Sequence, residues 1–326
     1  MEDVLEPYRR ELTAYCYRML GSAFEAEDAV QETMIRAWRG YERFEGRSAL
    51  RSWLYRIATN VCLDMLSSAQ RRARPMDLAA AGSPHVTEAP APLAESVWVG
   101  PVPDDRVLQD TADPADLAVT RESVRLAFVA ALQHLPPRQR AVLILREVLA
   151  WSAAETAELL GLTVASVNSA LQRARATLAA LGPATTDALA PTDPDQRALL
   201  ARYVDAFERY DLDALATLLH EDVTLSMPPL DLWFRGIDDI RTWMLGTGVG
   251  CRGSRLVPVA ANGAPAFGQY RPTSDPGRHE PWALIVLEIS SGRIVGINNF
   301  LDTERLFPLF GLPPVLLRGE PAELVG

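Results

Sequence analysis

No helix can run unbroken through residues 75–116. Pro75, Pro84, Pro90, Pro92, Pro101, Pro103 and Pro114 interrupt it, each lacking a backbone N–H and setting its ring against the preceding turn. Ala, Gly and Ser fill much of the rest, so the stretch is expected to be an extended linker. It is also acidic: Asp77, Glu88, Glu95, Asp104, Asp105, Asp110, Asp113 and Asp116 face a single Arg106, a net of −7. The linker separates two helical blocks. In residues 1–74, Ala26, Val30, Met34, Ala37, Trp38 and Tyr41 recur at helical spacing. After a break at Phe44–Ser48, a second helix is expected to about Ser67, with Leu50, Trp53, Leu54, Ile57, Ala58 and Val61 inward. Residues 117–182 return to helix, 183–195 form a second linker, and 196–326 alternate helix and strand signals. The fold class is therefore multi-domain, two all-α domains plus an α+β domain.

Composition excludes several chemistries. All 32 basic residues among the 326 are Arg, so no lysine can bind phosphates in a P-loop, form a Schiff base or serve a kinase. Cys16, Cys62 and Cys251 are far apart, and His85, His134, His220 and His279 pair with no cysteine or carboxylate at ligand spacing. Neither a metal nor a cofactor is expected. No apolar run is long enough to span a membrane, and the acidic N-terminus lacks signal-peptide order, which points to the cytoplasm and no membrane partner. The net charge of −10 argues against nucleic-acid binding until it is divided: +1 for residues 1–76, −7 for 77–116, +3 for 117–182 and −7 for 183–326.

Residues 138–178 carry the pattern helix, Gly turn, helix. Ser152 to Glu155 is a capping box, Gly161 stops its helix, and Thr163 opens the next. That last helix turns Val164, Val167, Leu171, Ala174 and Leu178 inward. It presents Ser166, Asn168, Ser169, Gln172, Arg173 and Arg175, types that reach base edges and phosphates. A plain three-helix packing unit would show the same pattern. Phe44, Glu45, Gly46, Arg47 and Ser48, followed by Arg51, Arg56 and Asn60 on a helix, combine an aromatic loop with polar donors that suit an unstacked base; Trp53 is expected in the core. In the C-terminal part, His220, Asp222, Asp231, His279 and Asp302 are candidate bases, with no paired acid/base motif. Trp233, Phe234, Trp243, Trp282 and Phe300 either line an apolar pocket or are ordinary core.

Two motif blocks resemble a known family. Glu27-Asp28-Ala29-Val30-Gln31-Glu32-Thr33 and Phe44 to Asn60 resemble region 2 of the extracytoplasmic-function sigma factors of bacterial RNA polymerase. Leu135-Pro136-Pro137-Arg138-Gln139-Arg140 and Ser152 to Arg175 resemble region 4. The linker with Trp98-Val99-Gly100-Pro101-Val102-Pro103-Asp104 and a fused C-terminal domain resemble the sigma-G-like and sigma-J-like subgroup, and the C-terminal domain resembles a SnoaL-like (NTF2-like) cone. The resemblance implies that Asp28, Gln31 and Glu32 dock on the β′ clamp, that region 4 meets the β flap, and that Phe44 to Asn60 melts the −10 element. It implies that the helix from Val164 reads −35 duplex and that the linker threads the RNA channel. Asn168 and Ala170 stand where Lys and Arg are common in the family, which implies weaker phosphate contacts. Expected partners are core RNA polymerase, promoter DNA and an unidentified small-molecule ligand of the C-terminal domain, which would replace a separate anti-sigma factor. The alternatives are a SnoaL-like enzyme or ligand sensor fused to a helix-turn-helix, and a simple duplex-binding repressor.

Overall fold

The computed structural model describes residues 2–44, 49–67, 71–108, 114–182, 186–187 and 193–317. It comprises two compact units: Met1–Ala73 with Ser96–Ala184, and Arg74–Glu95 with Thr185–Gly326.

The first unit is helical. α1 (Arg9–Leu20) ends at Gly21, whose φ of 75° suits a residue without a Cβ. α2 (Ala23–Gly40) opens on Ser22, whose hydroxyl accepts from the Glu25 amide. α3 (Leu50–Leu66) buries Leu54, Tyr55, Ala58, Thr59, Val61 and Cys62. Its inner face is thus rotated from the expected one, because Tyr15 and Thr59 satisfy each other through a buried hydroxyl pair at 2.8 Å. Trp53 is only half-buried. α4 (Pro114–Val124), α5 (Leu126–Gln133) and α6 (Pro137–Leu143) follow, the last running into a π-helical turn at Ile144–Val148. α7 (Ala153–Leu160) begins on the expected capping box, with Ser152 N–H donating to Glu155 at 2.8 Å and Glu155 N–H to Ser152 Oγ at 3.1 Å. Gly161 takes φ 63°, Thr163 caps α8 (Val164–Leu181), and the helix-turn-helix is complete.

Buried arginines tie these helices together. Arg18, 2% exposed, donates to Ser123 Oγ at 2.7 and 3.1 Å, joining α1 to α4. Burial pushes its pKa down to about 10, so it is still charged at neutral pH and depends on those acceptors. Arg140 reaches Met19 O and Gln133 Oε1. Arg72 donates to Trp98 O at 2.6 Å and pairs with Glu25 at 2.7 Å.

The second unit is α+β. α9 (Pro194–Glu208), capped by Asp193, and α10 (Leu212–Ala216) precede β1 (Leu219–Ser226), β2 (Trp233–Arg235) and α11 (Ile237–Leu245). Then come β3 (Arg255–Ala261), β4 (Ala264–Pro272), β5 (Arg278–Ser290), β6 (Arg293–Phe300), α12 (Thr303–Leu309) and β7 (Leu316–Leu317). The sheet order is β2-β1-β6-β5-β4-β3, with β7 on β5; β1 and β6 are parallel and the other pairs antiparallel. Ser291-Gly292, with φ of 51° and 72°, forms the expected two-residue hairpin. One face of β5 (Ala283, Ile285, Leu287, Ile289) joins the core with Tyr203, Phe207, Phe234 and Trp243. The apolar tail covers the other side: Tyr270 donates to Pro313 O at 2.8 Å and packs edge-on against Phe307.

The stretch 75–116 is not one extended linker. Its first half belongs to the second unit, where Gly82 N–H donates to Trp233 O at 2.8 Å, Leu93 N–H to Pro229 O at 2.9 Å, and Trp233 Nε1 to Ala79 O at 3.0 Å. A Cβ on Gly82 would lie 2.9 Å from the Leu232 Cδ1, so a side chain there would push that methyl aside. Residues 96–108 belong to the helical unit, where Trp98, Val99, Val102 and Val107 are buried and Tyr17 donates to Gly100 O at 2.8 Å. The prolines misled because a proline ends a helix from within but starts one well: Pro75 and Pro114 open helices.

Candidate nucleic-acid and polymerase interface

α8 presents an exposed polar face. Ser166, Asn168, Ser169, Gln172, Arg173 and Arg175 are all exposed, while Val167, Ala170, Leu171 and Ala174 are buried. Arg175 pairs with Glu147, and Ser166 shares a 2.9 Å hydroxyl contact with the capping Thr163. Val164, expected inward, is 44% exposed because it sits in the first turn, beyond the packing stripe. Ala170 is buried and does not face solvent. Of the two departures from the family pattern, only Asn168 lies on the exposed face of the helix.

α3 is arranged differently. Arg51 donates to Glu11 at 2.8 Å, and its guanidinium lies 5.2 Å from the Tyr55 ring and 5.6 Å from the Trp151 ring. Tyr55 itself packs on Trp151 at 5.2 Å. Arg56 pairs with Glu158 of α7 at 3.5 Å. Two of the expected −10 residues are thus engaged by α1 and by the helix-turn-helix. Asn60 is exposed. Phe44 is half-buried and stacks against Trp53 at 4.9 Å and Tyr41 at 6.3 Å. Glu45, Gly46, Arg47 and Ser48 lie outside the described residues. Glu11, Trp151 and Glu158 were not legible as partners of this helix, since each is distant in sequence.

On α2, Asp28 and Gln31 are exposed and Glu32 is half-buried, 2.7 Å from Arg36. Ile35 and Trp38, 37% and 63% exposed, continue the same face at spacings of three and four. Trp38, expected inward, therefore belongs to an exposed surface. Its helical periodicity suited either face, since it sits at the border of the inner stripe.

In the second unit, Trp243 and Trp282 line a cavity of about 30 Å³ with Tyr203, Phe207, Gln269 and Asn299. That is room for about two waters. Trp233, Phe234 and Phe300 do not line it. Phe234 packs behind Trp243 at 5.7 Å, and Trp233 bonds the strap. None of His220, Asp222, Asp231, His279 or Asp302 lines it either. Asp222 pairs with Arg235 at 2.9 Å, Asp302 lies 3.9 Å from Arg305, and His279 contacts Gly253 O at 3.2 Å.

Comparison with known proteins settles the family. Residues 4–72 match Sigma-70 region 2, residues 125–178 match Sigma-70 region 4, and residues 200–297 match a SnoaL-like domain. A relative in Mycobacterium tuberculosis, "ECF RNA polymerase sigma factor SigG", is 48% identical over 95% of this chain and 83% of its own length. The chain belongs to the ECF RNA polymerase sigma factors. The SigJ sigma factor of Mycobacterium tuberculosis is 27% identical over 92% of this chain and 91% of its own length. The crystal structure of that extracytoplasmic-function sigma factor matches with a TM-score of 0.61 at 23% identity, covering 96% of this chain and 100% of that chain. This ECF sigma factor is an alternative sigma factor carrying a fused SnoaL-like domain, a transcription regulator rather than an enzyme.

Proposed function

We propose that the chain binds core RNA polymerase through the exposed face of α2, with Asp28, Gln31 and Glu32 reaching the β′ clamp and Ile35 and Trp38 adding apolar contact. A surface that mixes carboxylates with an exposed tryptophan suits a protein partner. The helix-turn-helix meets the β flap, and α8 reads −35 duplex. Gln172 pairs with adenine, and Arg173 with guanine or phosphate. Phe44, Arg51, Arg56 and Asn60, with the loop Glu45 to Ser48, hold a base flipped from the −10 element, which offsets the few kcal/mol of unstacking. The observation that carries the reading is α8: a helix capped by Thr163 after a Gly161 turn, with every expected DNA-reading side chain exposed.

The fused domain regulates this activity through the linker. An acidic linker complements a basic RNA channel. Half of that linker is strapped to the C-terminal unit, so threading the channel requires its release, and a ligand of that unit would act on the same step. In this reading the domain takes the place of a separate anti-sigma factor. The test is transcription by core polymerase from a template carrying matched −35 and −10 elements. Transcripts with a defined 5′ end are expected only when the chain is added; their absence overturns the proposal. Leu232 and Trp233 variants that release the strap should raise or lower the yield, and an unchanged yield removes the regulatory role.

A further inference from the structure

A cleft of about 480 Å³ opens in the helical unit, where Leu66 at the end of α3 and Arg71-Arg72 meet the turn between α5 and α6. The volume is within the range of small-molecule sites. Three guanidinium groups line it, those of Arg71, Arg72 and Arg140, together with His134, and Glu25 is the carboxylate that lines it among the described residues. Arg72 spends its charge on Glu25, at 2.7 Å. Among the described residues, no carboxylate pairs with Arg71 or Arg140. Arg71 Nη2 lies 3.3 Å from His134 Nε2, within hydrogen-bond reach of the imidazole. Arg140 is 3% exposed, its hydrogen-bond partners are neutral carbonyls and the Gln133 amide, and its Nε has no partner. Burial pushes the Arg140 pKa down to about 10, and the charge of Arg71 adds to that shift. A buried cation beside a second cation, with an orphaned donor between two groups of helices, is costly unless an anion completes it.

We propose that this cleft binds the diphosphate group of a small phosphorylated molecule, held by Arg71 and His134 at its rim, with the charge of Arg140 lining it. Arginine forks suit phosphate oxygens. Leu20 and Leu66 supply an apolar wall for the remainder of the ligand, so a nucleoside diphosphate fills the space better than a bare anion. The ligand bridges the region 2 helices to the helix-turn-helix and therefore stabilises their packed arrangement. This site goes beyond the promoter-binding reading and stands or falls apart from it, since binding is read on the free chain without polymerase or DNA.

The test titrates the full chain with ADP, pyrophosphate and inorganic phosphate at constant ionic strength, by calorimetry and by the thermal midpoint of the helical unit. Saturable binding is expected, tighter for the diphosphates than for phosphate, with a raised midpoint. Equal affinity of ADP and pyrophosphate would identify the free diphosphate as the source, and tighter ADP the nucleotide. Arg71→Ala and His134→Ala, both at the rim, should each weaken binding about ten-fold with the unliganded midpoint nearly unchanged. Arg71→Lys should recover part of the loss. No saturable binding by any of the three, or binding unaltered in both variants, overturns the proposal.

Discussion

The two helices expected to meet DNA differ in how far their polar side chains are engaged by neighbouring elements. α8 stands open: its polar face is exposed, and Glu147 on Arg175 is the acidic partner described for it. α3 is engaged within the helical unit: Arg51 is held by Glu11 and flanked by Trp151, and Arg56 is paired with Glu158, though their side chains stay 43% and 42% exposed and Asn60 is exposed. In the proposed reading the two surfaces meet different substrates. A duplex major groove accepts a preformed helix, whereas a flipped base becomes available only after strand separation. A chain that kept its flipped-base surface uncovered would expose an aromatic, cationic patch to any single strand. In the proposed reading, Trp151 and Glu158 hold Arg51 and Arg56 in the free chain, and polymerase would free them for the flipped base.

The largest effect should come from Trp151→Ala. Trp151 is buried and packs on both Tyr55 and Arg51, so its loss should cost about 3 kcal/mol and lower the thermal midpoint of the helical unit by roughly 6–12 °C. The same variant should let the free chain bind a single-stranded −10 oligonucleotide, seen by fluorescence anisotropy; a loss of stability with no gain in binding would break the contrast. Next, Arg173→Ala should weaken −35 duplex binding roughly ten-fold while leaving the midpoint unmoved, because its side chain supports no packing. An unchanged affinity would show that α8 is not the reading helix. The smallest effect concerns the cap of α7. Hydrogen bonds from the Ser152 side chain and backbone hold the Glu155 carboxyl below its ordinary value of 4.5. A depressed acid adds stability above that ordinary value and loses it as pH falls through the folded one. Acidification from pH 6 toward 3 should therefore loosen the start of α7 slightly, and Glu155→Gln should flatten that part of the pH profile of its amide exchange.

Local signals were legible and distant pairings were not. The Ser152–Glu155 box, Gly161, Thr163 and the Ser291-Gly292 hairpin each rest on neighbouring residues, and the structure places each where the pattern puts it. The polar face of α8 was readable for the same reason. The inner face of α3 was misplaced because a buried Tyr15–Thr59 pair, 44 residues apart, overrides the apolar stripe. The strap of residues 74–95 was unreadable because its anchor is backbone hydrogen bonding to Pro229 and Trp233. The aromatic side chains of the C-terminal unit were ambiguous from composition. Burial divides them: Phe234 and Phe300 go to the core, Trp282 stays 38% exposed, and only Trp243 and Trp282 reach the cavity.

The contrast between the two helices is tested most directly by measuring the affinity of the chain for a single-stranded −10 oligonucleotide, alone and with core RNA polymerase. No saturable binding is expected for the chain alone and clear binding once polymerase is added, while −35 duplex binds in both states. If the free chain binds the −10 strand as tightly as the polymerase complex does, the contacts of Arg51 and Arg56 do not hold α3 back and the account is wrong.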